Sequence, residues 1–285
     1  MEINNKMTIP DWLSLEKTEL SNSKFTLIQA KVPFPGYIDN SDHPFGYCNA
    51  LTNDSIDWAS SDSPAEFEKN LKHMPSDWKY RTQSVTYKVN ASGYRTEEWN
   101  DIDWKNSIVI LGCSCTFGVG LSEHETISSV LCKLTGRQVI NLGVPGGSNE
   151  LILHNASMLF ERFGTPYGVV VNWTTTDRMR YFQRHTVVDV GPWDEHNHND
   201  NLHKLYNSMV GNEYNLQMRN YFISRAMNAI WQGRTNYISL SYFDVSAHYM
   251  IADAVFTIDN EARDCNHPGY NNSITVAKYI KDRLI

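Results

Sequence analysis

No run in the sequence approaches the ~18–20 consecutive apolar residues that a membrane helix needs, so no membrane partner is expected. Met1 to Trp12 holds no apolar core segment. A secretory signal is absent as written, and a cytoplasmic location is the expectation. Positive charge is also scarce: 25 Lys+Arg stand against 32 Asp+Glu, a formal net charge of -7. Phosphate neutralisation needs clustered Lys and Arg, so no nucleic-acid partner is expected. Cysteines are few and odd in number: Cys48, Cys113, Cys115, Cys132 and Cys265. Without a signal peptide, that count argues against a disulfide scaffold and for reduced thiols. There is no internal repeat and no low-complexity tract. Charged residues are 20% and hydrophobic residues 41% of the 285, values that exclude a disordered or collagen-like chain.

Aromatic residues are plentiful at 12%, with 8 Trp and 15 Tyr. Four of the tryptophans, Trp12, Trp58, Trp78 and Trp99, precede residue 100. Residues 1–85 carry these among turn formers and show poor periodicity, apart from a short helix predicted over Pro64–His73. They read as a loop-rich extension that buries aromatic area against a main domain of residues 86–285. A tryptophan surface for sugar binding is the alternative use of that area.

Regular structure sharpens after this. Ser84–Val89 alternates like a strand, and Ser107–Leu111 is a short apolar run of the kind found in buried parallel strands. Ser122, with Glu125 three residues on, opens a helix to Leu134. Val139–Leu142 predicts a second buried strand, and Ser148 or Asn149 caps a helix to Phe163. Val169–Trp173 predicts a third strand. Residues 178–213 read as polar and irregular. Tyr214–Trp231 reads as a helix, Tyr237–Leu240 as a strand and Ala254–Ile258 as a weaker one. An amphipathic helix closes the chain from about Gly269 to Leu284. Alternating strands and helices imply a parallel sheet with helices on both faces, an α/β/α sandwich. Such folds gather reactive groups at the carboxyl ends of their strands.

The predicted strand ends are small and polar. The first runs into Gly112-Cys113-Ser114-Cys115-Thr116-Phe117-Gly118, the second into Asn141-Leu142-Gly143-Val144-Pro145-Gly146-Gly147, and the third into Thr174-Thr175-Thr176-Asp177-Arg178. Near the carboxyl terminus comes Asp264-Cys265-Asn266-His267-Pro268. A serine hydroxyl becomes nucleophilic when a base takes its proton. His267 supplies a base for Ser114, and Asp264 can hold the other ring nitrogen. The backbone N–H groups of Ser114 and Gly146 are a candidate oxyanion pair.

These blocks resemble those of the SGNH (GDSL-type) hydrolases, which have a flavodoxin-like three-layer fold. Gly112-Cys113-Ser114 matches the first block. Val139 to Gly146 matches the second, which gives Gly146 the oxyanion role, and Asp264, His267 and Pro268 match the last. Tyr87 to Arg95 is similar to the lead-in of many bacterial and phage members. Trp173 to Arg178 resembles a WTxxDR form associated with phage-type ones. The resemblance covers about residues 86–285. It implies catalytic Ser114, His267 and Asp264 with no metal or organic cofactor. Two positions depart from the pattern. Cys113 replaces an aspartate, and Thr174-Thr175-Thr176-Asp177 replaces Gly-x-Asn-Asp, so the oxyanion-binding amide is missing at Thr176. Thr174 or Thr176 through a hydroxyl, or Asn149 through its amide, is the expected substitute.

Trp173, Asp177 and Arg178 are the candidates for substrate contact, with Tyr181 and Trp193 beside them. Arg178 either pairs with Asp177 or binds an anionic group. The expected substrate is a small-molecule or saccharide ester. Acyl transfer would use the same site, and a binding or structural module, for example in a virion, is the non-enzymatic alternative. Oligomeric state is left open. Rival chemistries are a tetrahedral metal on Cys113, Cys115, Cys265 and His267, and a cysteine nucleophile at Cys113 or Cys115. The ligand-rich stretch Asp194 to Asp200, with His203, reads as a solvated insertion or a metal-binding tract.

Overall fold

The computed structural model describes residues 18–19, 26–27, 55–182, 187–192, 200–244 and 249–284. The chain forms two compact units, Met1–Pro44 and Phe45–Ile285. In the first, β1 (Thr18–Glu19) pairs antiparallel with β2 (Thr26–Leu27). Residues 55–85 lie in the second unit, with the main sheet.

The second unit is built on a five-stranded parallel sheet. Its strands are β5 (Ile108–Gly112), β6 (Val139–Gly143), β7 (Gly168–Trp173), β10 (Asn236–Ser241) and β11 (Ala254–Val255), in the spatial order β11-β10-β7-β5-β6. Every adjacent pair is parallel. Numbered among themselves along the chain, these strands lie 2-1-3-4-5, the flavodoxin-like order. The fold is therefore the α/β class expected from the sequence.

Burial explains the apolar runs. β5, β6 and β7 are buried at every residue, as parallel strands covered on both faces must be. Ile108, Ile110, Val170, Ile238 and Leu240 point to one face. There they pack with Ile127, Val130 and Leu131 of α3 (Ile127–Thr135) and Val276, Ala277, Ile280 and Leu284 of α7 (Tyr270–Leu284). The period of two sends Val109, Leu111, Val169 and Val171 to the other face. That face is covered by α4 (Asn149–Phe163), against which α6 (Glu213–Trp231) packs. Each fully buried Val, Ile or Leu contributes roughly 1.5–3 kcal/mol, so the two faces together dominate the stability of this unit.

Helix boundaries follow local chemistry. Ser63 caps α1 (Pro64–His73) by accepting from Glu66 N–H, with Pro64 in the first turn, a position where the missing N–H costs nothing. Ser122 and Glu125 form the expected capping box, but around a 3-10 turn at Glu123–Glu125. Thr126 then caps α3 separately. Ser148 caps α4 through Leu151 N–H.

The segment read as irregular after β7 holds regular structure. β8 (Met179–Phe182) pairs antiparallel with β9 (Val187–Val190), and α5 (Asp200–Val210) follows. Arg180 and Asp189 sit opposite each other in that pairing and form an ion pair across it. The strand predicted over 84–89 is shorter: β4 (Tyr87–Lys88), paired with β3 (Ser55–Ile56). No helix among the described residues is long and apolar enough to cross a membrane.

Candidate active site

β5 ends at Gly112, and the chain turns at once into α2 (Ser114–Phe117). Only a glycine fits at that strand end: a Cβ on Gly112 would lie 2.0 Å from Thr116 Oγ1. The close approach lets α2 begin directly above the strand. The next strand, β6, lies on one side of β5 and the one after it, β7, on the other, so the strand order reverses at β5. Ser114 therefore sits at the topological switch point, where open α/β sheets bind ligands. Asn141 staples the turn from β6, donating to Thr116 O at 2.9 Å and accepting from Gly143 N–H at 2.9 Å.

The loop after β11 brings the remaining groups. Cys265 adopts φ 56, and the turn closes through Cys265 N–H to Ala262 O. Asp264 and His267 thereby face the same direction. His267 Nδ1 lies 2.6 Å from Asp264 Oδ2, and His267 Nε2 lies 2.8 Å from Ser114 Oγ. A carboxylate only accepts, so Nδ1 carries the proton and Nε2 is left to accept from the serine hydroxyl. Asp264 Oδ1 accepts the backbone N–H groups of Asn266 and His267. Burial pushes the Asp264 carboxyl up. The hydrogen bond and charge of His267, the Ser61 hydroxyl and the Asn266 N–H outweigh it and hold the group below the ordinary aspartate value.

The oxyanion candidates separate. Gly146 lies on the turn after β6 with φ 77, partly exposed. That turn closes through Val144 N–H to Gly112 O and Gly147 N–H to Val144 O. These bonds use neither the Ser114 nor the Gly146 N–H. Asn149, a candidate oxyanion donor, has its amide bonded within the core. It is fully buried, donates to Asn220 Oδ1 at 2.9 Å and Thr174 O at 3.3 Å, and accepts from Thr174 N–H at 3.1 Å. Thr174 is likewise fully buried beneath this amide. Thr176 is nearer the surface and lines a cavity described below.

Trp173, a candidate for substrate contact, is part of the core. It ends β7 inside the core, 1% exposed, with Nε1 donating to Ser239 Oγ at 2.6 Å. Its aromatic area is packing, and its one polar atom is satisfied. The side chains of Tyr181 and Trp193, and the whole ligand-rich stretch 194–199, lie outside the described residues. Arg178 lies close enough to Cys113 and Cys115 for its charge to favour both thiolates.

The two cysteines are buried free thiols on either side of Ser114. Their mutual interaction pulls Cys113 well below the usual thiol range and pushes Cys115 well above it. Both pack in the apolar cluster beneath the sheet edge. His267 Nε2 is within reach of the Ser114 oxygen, and Cys265 Sγ turns back to Arg263 O. Among the described residues no group of three or more His, Cys, Asp and Glu could hold a metal ion.

Sequence reasoning missed the residues that hold the Asp264 loop. Arg263 is buried and forks onto Asp62, with Nε 2.9 Å from Oδ1 and Nη2 2.7 Å from Oδ2. Its guanidinium also lies 4.0 Å over the Trp58 ring. Tyr87 O–H donates to Asp62 and accepts from Gly120 N–H. Ser61 Oγ donates to Asp264 Oδ2 at 2.7 Å. These partners lie 201 and 203 residues away from the loop they hold.

A cavity of about 550 Å³ opens along the carboxyl ends of β7, β10 and β11. Tyr242, Phe243 and Phe256 form its aromatic wall, with Thr176, Asp177 and Asp244 as polar members. Tyr242 packs in the same cluster as Cys113 and Cys115, and the described lining of the cavity does not include Ser114, Gly146, Asp264 or His267.

No protein-family model matches the sequence. No curated protein matches it either. Among solved structures, the chain is similar to a carbohydrate esterase family 2 enzyme with a carbohydrate-binding domain from Corynascus thermopiles (Myceliophthora fergusii). The identity is 14% and the TM-score 0.36, over 63% of this chain and 67% of that one. It is also similar to the acetyl xylan esterase Est2A from the rumen bacterium Butyrivibrio proteoclasticus (11% identity, TM-score 0.37, 71% of this chain and 66% of that one). A third likeness is to AlinE4, an SGNH-hydrolase family esterase (15% identity, TM-score 0.31, 54% and 77%).

Proposed function

We propose that the chain is a serine esterase that removes an O-acyl group from a carbohydrate or another small polar alcohol. The observation that carries this reading is the pair of short contacts at His267, 2.8 Å to Ser114 Oγ and 2.6 Å to Asp264 Oδ2. Both fall within or at the edge of the reach that proton transfer demands, about 2.6–3.2 Å.

In this mechanism Ser114 Oγ attacks the ester carbonyl as His267 Nε2 takes its proton. Asp264 stays ionised and stabilises the imidazolium that forms. The carbonyl oxygen gains charge, and the N–H groups of Ser114 and Gly146 donate to it. The C–O bond then breaks, and the leaving alkoxide takes the proton from His267. Water attacks the acyl-serine by the same route in reverse, with His267 again as base, and releases the acid. An acceptor alcohol in place of that water gives acyl transfer.

The alcohol is read from the cavity. Its volume is in the range of small-ligand sites, about 300–1,000 Å³. Aromatic faces from Phe243 and Phe256 suit the apolar faces of a sugar ring, and Asp177, Asp244 and Thr176 suit its hydroxyls. Among the described residues that line the cavity there is no Lys or Arg, which disfavours an anionic substrate. Saturable release of acetate from an acetylated oligosaccharide, together with turnover of p-nitrophenyl acetate, is the expected result. Turnover of the aryl ester without the saccharide would retain the esterase and remove the sugar. Turnover of neither, in protein shown to be folded, would favour a binding module on the same scaffold.

A further inference from the structure

We propose that Ser61 is a positioning residue for the Asp264–His267 pair, a hydroxyl that fixes the carboxylate from a turn outside the sheet. The proposal rests on the serine-esterase reading and adds a residue to its machinery.

The local geometry is specific. Ala59 and Asp62 exchange both backbone hydrogen bonds, at 3.0 and 3.1 Å, closing a tight turn with Ser60 and Ser61 at its tip. Ser60 holds φ 59 there, a left-handed conformation that costs energy for a residue with a Cβ. What keeps the turn in place is its neighbour. Asp62 is locked to Arg263 by a buried forked ion pair, and the hydroxyl of Tyr87 adds a further bond. Two consecutive residues, 61 and 62, thus grip two consecutive residues, 264 and 263.

The effect on Asp264 follows from counting lone pairs. A carboxylate offers about four acceptor sites. Oδ1 takes the N–H groups of Asn266 and His267, each at 3.2 Å. Oδ2 takes His267 Nδ1 at 2.6 Å and Ser61 Oγ at 2.7 Å. All four sites are filled, so the carboxylate cannot rotate without breaking a bond. Ser61 Oγ also stands 3.5 Å from His267 Nδ1, placing it on the edge of the bond it steadies. Ser61 is itself exposed, so its loss admits water to Oδ2 and leaves the buried network intact. The charged and titratable groups around the pair are Asp62 and Arg263, Glu66 on α1, whose charge reaches Cys265, and the thiols Cys115 and Cys265, which sense the Asp264 charge.

The test compares Ser61→Ala and Ser61→Thr in the full chain. With p-nitrophenyl acetate, Ser61→Ala is expected to lower kcat roughly 10- to 100-fold, the effect of one hydrogen bond to a charged group. KM should remain within twofold, because Ser61 touches no substrate. Ser61→Thr keeps the hydroxyl and should recover most of the rate. Carboxyl ¹³C NMR should show Asp264 titrating at higher pH in Ser61→Ala than in wild type, a shift that a purely structural turn residue would not produce. Wild-type kcat in Ser61→Ala, or an Asp264 titration that does not move, overturns the proposal. Absence of turnover in wild type overturns the esterase reading instead, and the NMR titration then still decides whether Ser61 holds Asp264.

Discussion

Ser114→Ala should lower kcat for an ester substrate by about 10⁴–10⁶-fold while leaving thermal stability nearly unchanged. His267 Nε2 addresses the serine oxygen at 2.8 Å, while Cys113 and Cys115 are buried free thiols. His267→Ala should cost a comparable factor, and the double variant little more, because the two act as one unit. Steady-state kinetics with p-nitrophenyl acetate on the three variants measures this. Losses that multiply would contradict a shared proton-transfer role. Retained activity in Ser114→Ala that disappears in Cys113→Ser or Cys115→Ser would instead assign the chemistry to a thiol.

Asp62→Ala should produce the largest loss of stability of any single polar substitution around the site, roughly 3–5 kcal/mol. The Asp62 and Arg263 side chains are 1% and 5% exposed. Removing the carboxylate leaves a guanidinium in the core beside Trp58 with its main partner gone. The loop that carries Asp264 and His267 begins at the next residue, so catalysis should fall as well. Denaturant unfolding measures the first effect and kcat the second. The double variant Asp62→Ala/Arg263→Met should be more stable than Asp62→Ala, since it no longer buries an unpaired charge. A loss below about 1 kcal/mol in Asp62→Ala would show that the pair does not anchor the loop.

The sheet was legible because its burial is two-sided. Runs such as Ser107–Leu111 and Val169–Trp173 are too apolar and too short for surface helices, and their alternation with capped amphipathic segments implies a parallel order. The strand-end groups were legible for the same reason, since that topology sends Ser114, Gly146 and the Asp264–His267 loop to one edge. Four features escaped. Asp62, Ser61 and Tyr87 act on residues far along the chain, through contacts that leave no local pattern. Asn149 reads as a free amide at a helix start, yet its amide braces Thr174 and Asn220. Trp173 follows a run of valines and reads as a platform at the strand end, but the side chain points into the core, where Ser239 satisfies it. The β8–β9 hairpin was hidden by its polar composition: Arg180 and Asp189 neutralise each other across the strands, a pairing invisible to hydrophobic periodicity.

The proposed chemistry requires Ser114 to be an activated nucleophile. Intact-protein mass spectrometry after brief exposure to a fluorophosphonate, followed by peptide mapping, tests that most directly. The expected result is one adduct per chain on Ser114, absent in Ser114→Ala and in His267→Ala. No adduct on the folded wild-type chain, or an adduct on any other residue, would contradict it.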